Sequence, residues 1–140
     1  QNTTGVTAIM NVTPDVLGAQ IDAVFTDIRP KAVKIGMVSV PELIDVIADR
    51  LARYNAENVV LDPVMVATSG AKLISDDAVE VMTGKLFPLA RLITPNIPET
   101  EALTGISVRS VADMENAARC IYGKYGCAVL VKGGHSINDE

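Results

Sequence analysis

The chain is poor in the residues from which metal and redox sites are built: among 140 residues there are two Cys and one His. The cysteines, Cys120 and Cys127, match no zinc or disulfide-exchange spacing, and two reduced thiols in a cytosolic protein account for them. Positive charge is also short, with 12 Lys+Arg against 17 Asp+Glu and a net charge of -5. The basic residues are scattered, so there is no stripe to release counterions from a nucleic-acid backbone or to hold anionic lipid. No apolar run approaches the roughly 20 residues that cross a bilayer, and the start does not read as a charged stretch followed by a hydrophobic one. A soluble, cytoplasmic protein with no nucleic-acid or membrane partner is expected. Neither G-x-x-x-x-G-K-[ST] nor G-x-G-x-x-G occurs, which removes Walker-type ATPases and dinucleotide enzymes.

What is present is a core former. Hydrophobic residues make up 49% of the chain, and a chain of this length buries roughly 70% of its unfolded surface without a disulfide or metal. No internal repeat or Gly/Ser/Pro-rich linker divides it. Short β-branched runs alternate with stretches of helical spacing, the pattern of stacked βαβ units. Strands are expected at 6–11, 32–36, 58–61, 92–94 and 128–131, buried on both faces of a parallel sheet. Helix starts are signalled by Thr13-Pro14-Asp15, Ser39-Val40-Pro41-Glu42, Ser75-Asp76-Asp77, Pro98 or Glu99, and Ser110. Their expected ends lie near Asp27, Tyr54, Leu86, Leu103 and Tyr125, the last before Gly126.

Right-handed crossovers bring the carboxyl ends of such strands to one edge, where α/β proteins build their sites. The unusual residues gather there: Lys34-Ile35-Gly36-Met37, Leu61-Asp62-Pro63-Val64-Met65, Thr94-Pro95-Asn96-Ile97-Pro98-Glu99 and Val131-Lys132-Gly133-Gly134-His135. Each has a plain reading. Asp62-Pro63 is turn chemistry, and Asn96 with Glu99 is a helix cap with an acid in the first turn. Jointly they say more. Asp62, Asn96 and Glu99 are hard oxygen donors suited to Mg²⁺ with water and phosphate, and Lys132 can neutralise a phosphate as a point charge. The loop Ala67–Lys72 adds hydroxyls and a second lysine, so phosphoryl transfer is the chemistry this set serves. His135 reads as a solvated loop residue, since no partner acid lies near it in sequence.

These segments, together with Gln1-Asn2-Thr3-Thr4-Gly5-Val6 and Val129-Leu130-Val131, resemble the hydroxymethylpyrimidine/phosphomethylpyrimidine kinases of thiamine biosynthesis, in the ribokinase-like superfamily. The resemblance runs along essentially the whole chain. It implies a three-layer α/β/α sandwich with a mainly parallel sheet, of which residues 1–140 form the central portion of a single kinase domain. It implies ATP and Mg²⁺ as cofactors, hydroxymethylpyrimidine or its phosphate as substrate, and a homodimer. By the same resemblance Gln1 hydrogen-bonds the aminopyrimidine while Met37 and Val64 border its pocket. Asp62 and Lys132 become catalytic through charge stabilisation, Lys132 and Asn96 meet the nucleotide, and Asp62, Asn96 and Glu99 serve the metal, in part through water. The family's N-terminal Gly-rich segment and its C-terminal Gly-Thr-Gly-Cys loop have no match here. The loop supplies an anion hole at a helix N-terminus, so the 140 residues alone are expected to be inactive. A pyridoxal kinase of the same superfamily and a non-catalytic pyrimidine-binding regulatory domain are the alternatives.

Overall fold

Prolines and hydroxyls set where the helices begin. In the computed structural model, which describes residues 7, 8, 10–65 and 73–133, α1 spans Pro14–Asp27 and opens on Thr13, whose Oγ1 accepts from the Val16 N–H. Helix α2 (Pro41–Arg53) starts on Val40 with no side-chain cap, so Ser39 does not do what Thr13 does. Ser39 lies one residue too far out, and Pro41 already fixes the first helical turn. Ser75 caps α3 (Asp76–Val81), Asn96 caps α4 (Ile97–Thr104) and Ser110 caps α5 (Val111–Tyr125). Gly105 and Gly126 end the last two in the left-handed conformation that favours glycine.

The helix expected to run from Ser75 to Leu86 is broken. After Val81 the backbone widens into a π turn over Met82–Leu86 and then tightens into a 3₁₀ turn over Phe87–Leu89. Met82, Leu86 and Phe87 are all fully buried. Positions five apart drift to opposite sides of a regular helix, and the wider turn keeps Met82 and Phe87 facing the core together.

Four short strands, β1 (Val33–Ile35), β2 (Val59–Leu61), β3 (Leu92–Ile93) and β4 (Ala128–Val129), pair in parallel in sequence order. Ile35, Leu61, Ile93 and Val129 lie side by side in register. With right-handed crossovers, sequential order puts every connecting helix on one face, and burial agrees. Ile35, Val59, Leu61 and Ile93 pack with Ile44, Ile47 and Leu51 of α2, with Ala78 of α3 and with Met82, Leu86, Phe87 and Ile121. Burying a side chain such as Phe87 stabilises the fold by about 1.5–3 kcal/mol, and its ring meets Tyr125 edge-on at 4.9 Å. The other face is different. Lys34, Ala128 and Leu130 are exposed, Val60 and Leu92 half-buried, and none belongs to a buried cluster. The α/β class and parallel sheet stand as read; the described residues supply the sheet and one helical layer, not strands buried on both faces.

The expected strand at 6–11 is not formed by Thr7, Ala8, Met10 and Asn11, which are irregular; Val6 and Ile9 lie outside the described residues. Met10 is 96% exposed. Cys127 is buried, Cys120 exposed, and both are free. No described helix is long and apolar enough to cross a membrane.

Candidate functional site

Register brings the four strand exits to one edge, and three of them are tied together by polar contacts. The Lys132 Nζ lies 2.8 Å from Asp62 Oδ1, bridging residues 70 apart in sequence. Lys132 is held by its backbone as well, since its N–H donates to the Pro95 carbonyl at 2.8 Å and it forms a parallel bridge with Asn96. The Asp62 N–H donates to the Ile35 carbonyl, and its own carbonyl accepts from Val64. The acid therefore sits on a short turn fixed at both ends. Side-chain exposures of 21% for Asp62 and 41% for Lys132 leave the pair open to a ligand.

Asn96 and Glu99 form a reciprocal capping box. Asn96 Oδ1 accepts from the Glu99 N–H at 2.9 Å, and Glu99 Oε2 accepts from the Asn96 N–H at 2.8 Å. The Thr100 hydroxyl donates to the Asn96 carbonyl. Glu99 Oε1 reaches further, accepting from the Met65 N–H at 3.2 Å on the β2 exit. Glu99 is only 1% exposed. Burial pushes its carboxyl above the ordinary value of 4.5; the Asn96 and Met65 amides and the Lys132 ammonium pull it back, and Asp62 adds to the rise.

Asp62, Lys132, Asn96 and Glu99 thus come together as the sequence suggests. Met37 stands 56% exposed two residues past β1, and Val64 is half-buried on the β2 exit. Lys34 points away, on the open face of the sheet. Gln1, the Ala67–Lys72 loop and His135 lie outside the described residues. Sequence reasoning missed Met65, whose amide is a partner of Glu99. The capping box is legible as N-x-x-E, whereas a contact 34 residues away leaves no local signal.

The donors suit a hydrated Mg²⁺ held chiefly by phosphate oxygens, a mode that needs only one or two carboxylates. Asp62 is the accessible one. Glu99 does not fit as a direct ligand, because both of its oxygens are occupied by backbone amides and it is shut off from solvent. No group of three or more His, Cys, Asp or Glu among the described residues could enclose a metal.

The sequence profile described as phosphomethylpyrimidine kinase matches residues 1–140. The chain belongs to the phosphomethylpyrimidine kinase family. It is 49% identical to the hydroxymethylpyrimidine/phosphomethylpyrimidine kinase of Rhizobium meliloti over 141 aligned positions, which cover 100% of this chain and 53% of the relative. The crystal structure of phosphomethylpyrimidine kinase from Clostridium difficile superposes with a TM-score of 0.90 at 46% identity, covering 100% of this chain and 60% of that one. A pyridoxal kinase from Staphylococcus aureus, solved with AMP-PCP and pyridoxal, superposes at 0.81 with 30% identity, covering 99% of this chain and 49% of that one. The fold is ribokinase-like, and the chain spans about half the length of these full-length kinases.

Proposed function

We propose that residues 1–140 are the central portion of a single kinase domain that moves the γ-phosphoryl group of ATP to the hydroxymethyl oxygen of 4-amino-5-hydroxymethyl-2-methylpyrimidine, and then to the phosphate of its monophosphate. The observation that carries this reading is the Asp62–Lys132 pair, a solvent-accessible acid and ammonium on neighbouring strand exits beside the capped start of α4. Lys132 swings from Asp62 to a nucleotide phosphate and neutralises charge that grows in the transition state. Asp62, once released from that pair, would be the residue that holds Mg²⁺, whose chemistry there would be charge neutralisation of the phosphates. Asn96 fixes the β3 exit against Lys132, and Met37, Val64 and Gln1 line the pyrimidine side.

The likeness to pyridoxal kinase supports a second reading, a related heterocyclic alcohol as substrate, but the match to the pyrimidine kinases is stronger in both identity and superposition. Steady-state turnover by the full-length protein separates the two. A kcat/KM for the pyrimidine alcohol at least about tenfold above that for pyridoxal supports the first reading, a gap that pocket contacts alone can produce. The reverse order supports the second, and pyrimidine binding without nucleotide binding indicates a regulatory domain. The family resemblance further points to a homodimer, which a solution mass from light scattering on the full-length protein tests directly.

A further inference from the structure

We infer that Glu99 is a positioning residue, a buried strut that clamps the Asp62–Met65 turn onto the start of α4 and so holds the pyrimidine-side and phosphate-side residues in one arrangement, without binding metal itself. The inference rests on the kinase reading above and goes beyond it.

Three observations carry it. Glu99 spends one oxygen on Met65 N–H and the other on Asn96 N–H, so a single carboxylate joins the β2 exit to the β3 exit. Asn96 in turn bridges Lys132, which pairs with Asp62 on the β2 exit. The contacts close a ring of Met65, Glu99, Asn96, Lys132 and Asp62, with Val64 between its two β2 members. Burial completes the case: at 1% exposure the carboxylate cannot turn toward a hydrated metal without abandoning two amides in the interior, which is costly. The helix has a natural comparison in Glu101, whose Oε1 accepts from the Val108 N–H at 2.8 Å. That carboxylate also ties α4 to a distant amide, but at the loop before α5, outside the ring.

The test uses the full-length protein. In wild type the strut predicts that the Met65 and Asn96 amides stay protected from hydrogen exchange when Mg-ATP is added; loss of that protection means Glu99 turns out to the metal and overturns the inference. In Glu99→Gln, whose amide offers only one acceptor, exchange at Met65 and Asn96 rises about tenfold or more, the expected effect of losing a charge-assisted hydrogen bond. KM for the alcohol rises by about tenfold as the Val64 turn loosens, while the half-saturating Mg²⁺ concentration changes less than about twofold. Glu101→Gln loosens Val108 and leaves KM and the Met65 amide unchanged. Retained protection in Glu99→Gln, or a Mg²⁺ requirement that rises about tenfold with KM constant, contradicts the strut. Should the alcohol fail as a substrate, only the functional reading falls, and the amide exchange still decides the role of Glu99.

Discussion

The two edges of the sheet are both polar, yet their side chains are engaged differently. At the amino edge, Arg29, Asn55 and Asn58 take up positive φ of 48°, 47° and 52° in the turns that lead into the strands. Asn58 Nδ2 donates to the Lys31 carbonyl, and Arg91 donates to Asn58 Oδ1. Nearby, Asp22 receives Arg50 Nε and the Tyr54 hydroxyl, each at 2.9 Å, and Tyr54 stacks on Phe25. These groups hold loops and helices to one another. At the carboxyl edge Glu99 is spent on backbone in the same way, but among the described residues the Asp62 and Lys132 side chains bond only to each other and remain open to solvent. Polarity alone does not mark a site. Side chains that pair across distant strands and keep room for a ligand do.

The sharpest break between the edges is in turnover of the full-length protein. Asp62→Asn is expected to lower kcat by about 10²–10³, the usual loss when one preorganised charge-stabilising group is removed. Arg91→Ala at the amino edge leaves kcat within about twofold.

Stability orders the remaining substitutions. Glu99→Ala strands two buried amides and is expected to cost about 2–5 kcal/mol in urea unfolding. Asn58→Ala loses two side-chain hydrogen bonds and the local tolerance of Asn for the left-handed region, at about 1–3 kcal/mol, whereas Asn58→Gly, which adopts that region without strain, recovers part of that loss. Tyr54→Phe removes one hydrogen bond to Asp22, at about 0.5–1.5 kcal/mol.

The smallest effect is a pH dependence. Partial burial raises the Asp22 carboxyl, but the Tyr54 hydroxyl and the Arg50 guanidinium outweigh it and hold the group below its ordinary 3.8. A depressed acid contributes stability that is present above the unfolded value and lost as pH falls through the folded one. Asp22→Asn therefore flattens the acid limb of a melting-temperature profile below pH 4, where a profile that keeps the wild-type slope assigns that limb to other groups.

Much of this contrast was legible in the residues. The limits of α1 and α5 follow from Thr13-Pro14, Ser110 and Gly126, because caps and stops are local chemistry. The strand exits were legible too, since Asp62-Pro63 and Asn96-Ile97-Pro98-Glu99 interrupt apolar runs. Burial was harder to read. Met10 stands exposed in a stretch of strand-like composition, and α3 widens to seat Phe87, a tertiary demand that no local pattern records. Glu99 shows the same limit at the site. The motif reads equally as a cap or as a metal donor, and only the contact with Met65 and its enclosure separate the two.

The most direct test of the carboxyl edge as the phosphoryl-transfer site is amide chemical-shift mapping of the full-length protein titrated with Mg-ATP. The account predicts shifts concentrated at Asp62, Asn96, Lys132 and Gly133, with Arg29, Asn55 and Asn58 unmoved. Shifts concentrated at the amino edge, with Asp62 and Lys132 unmoved at saturation, would contradict it.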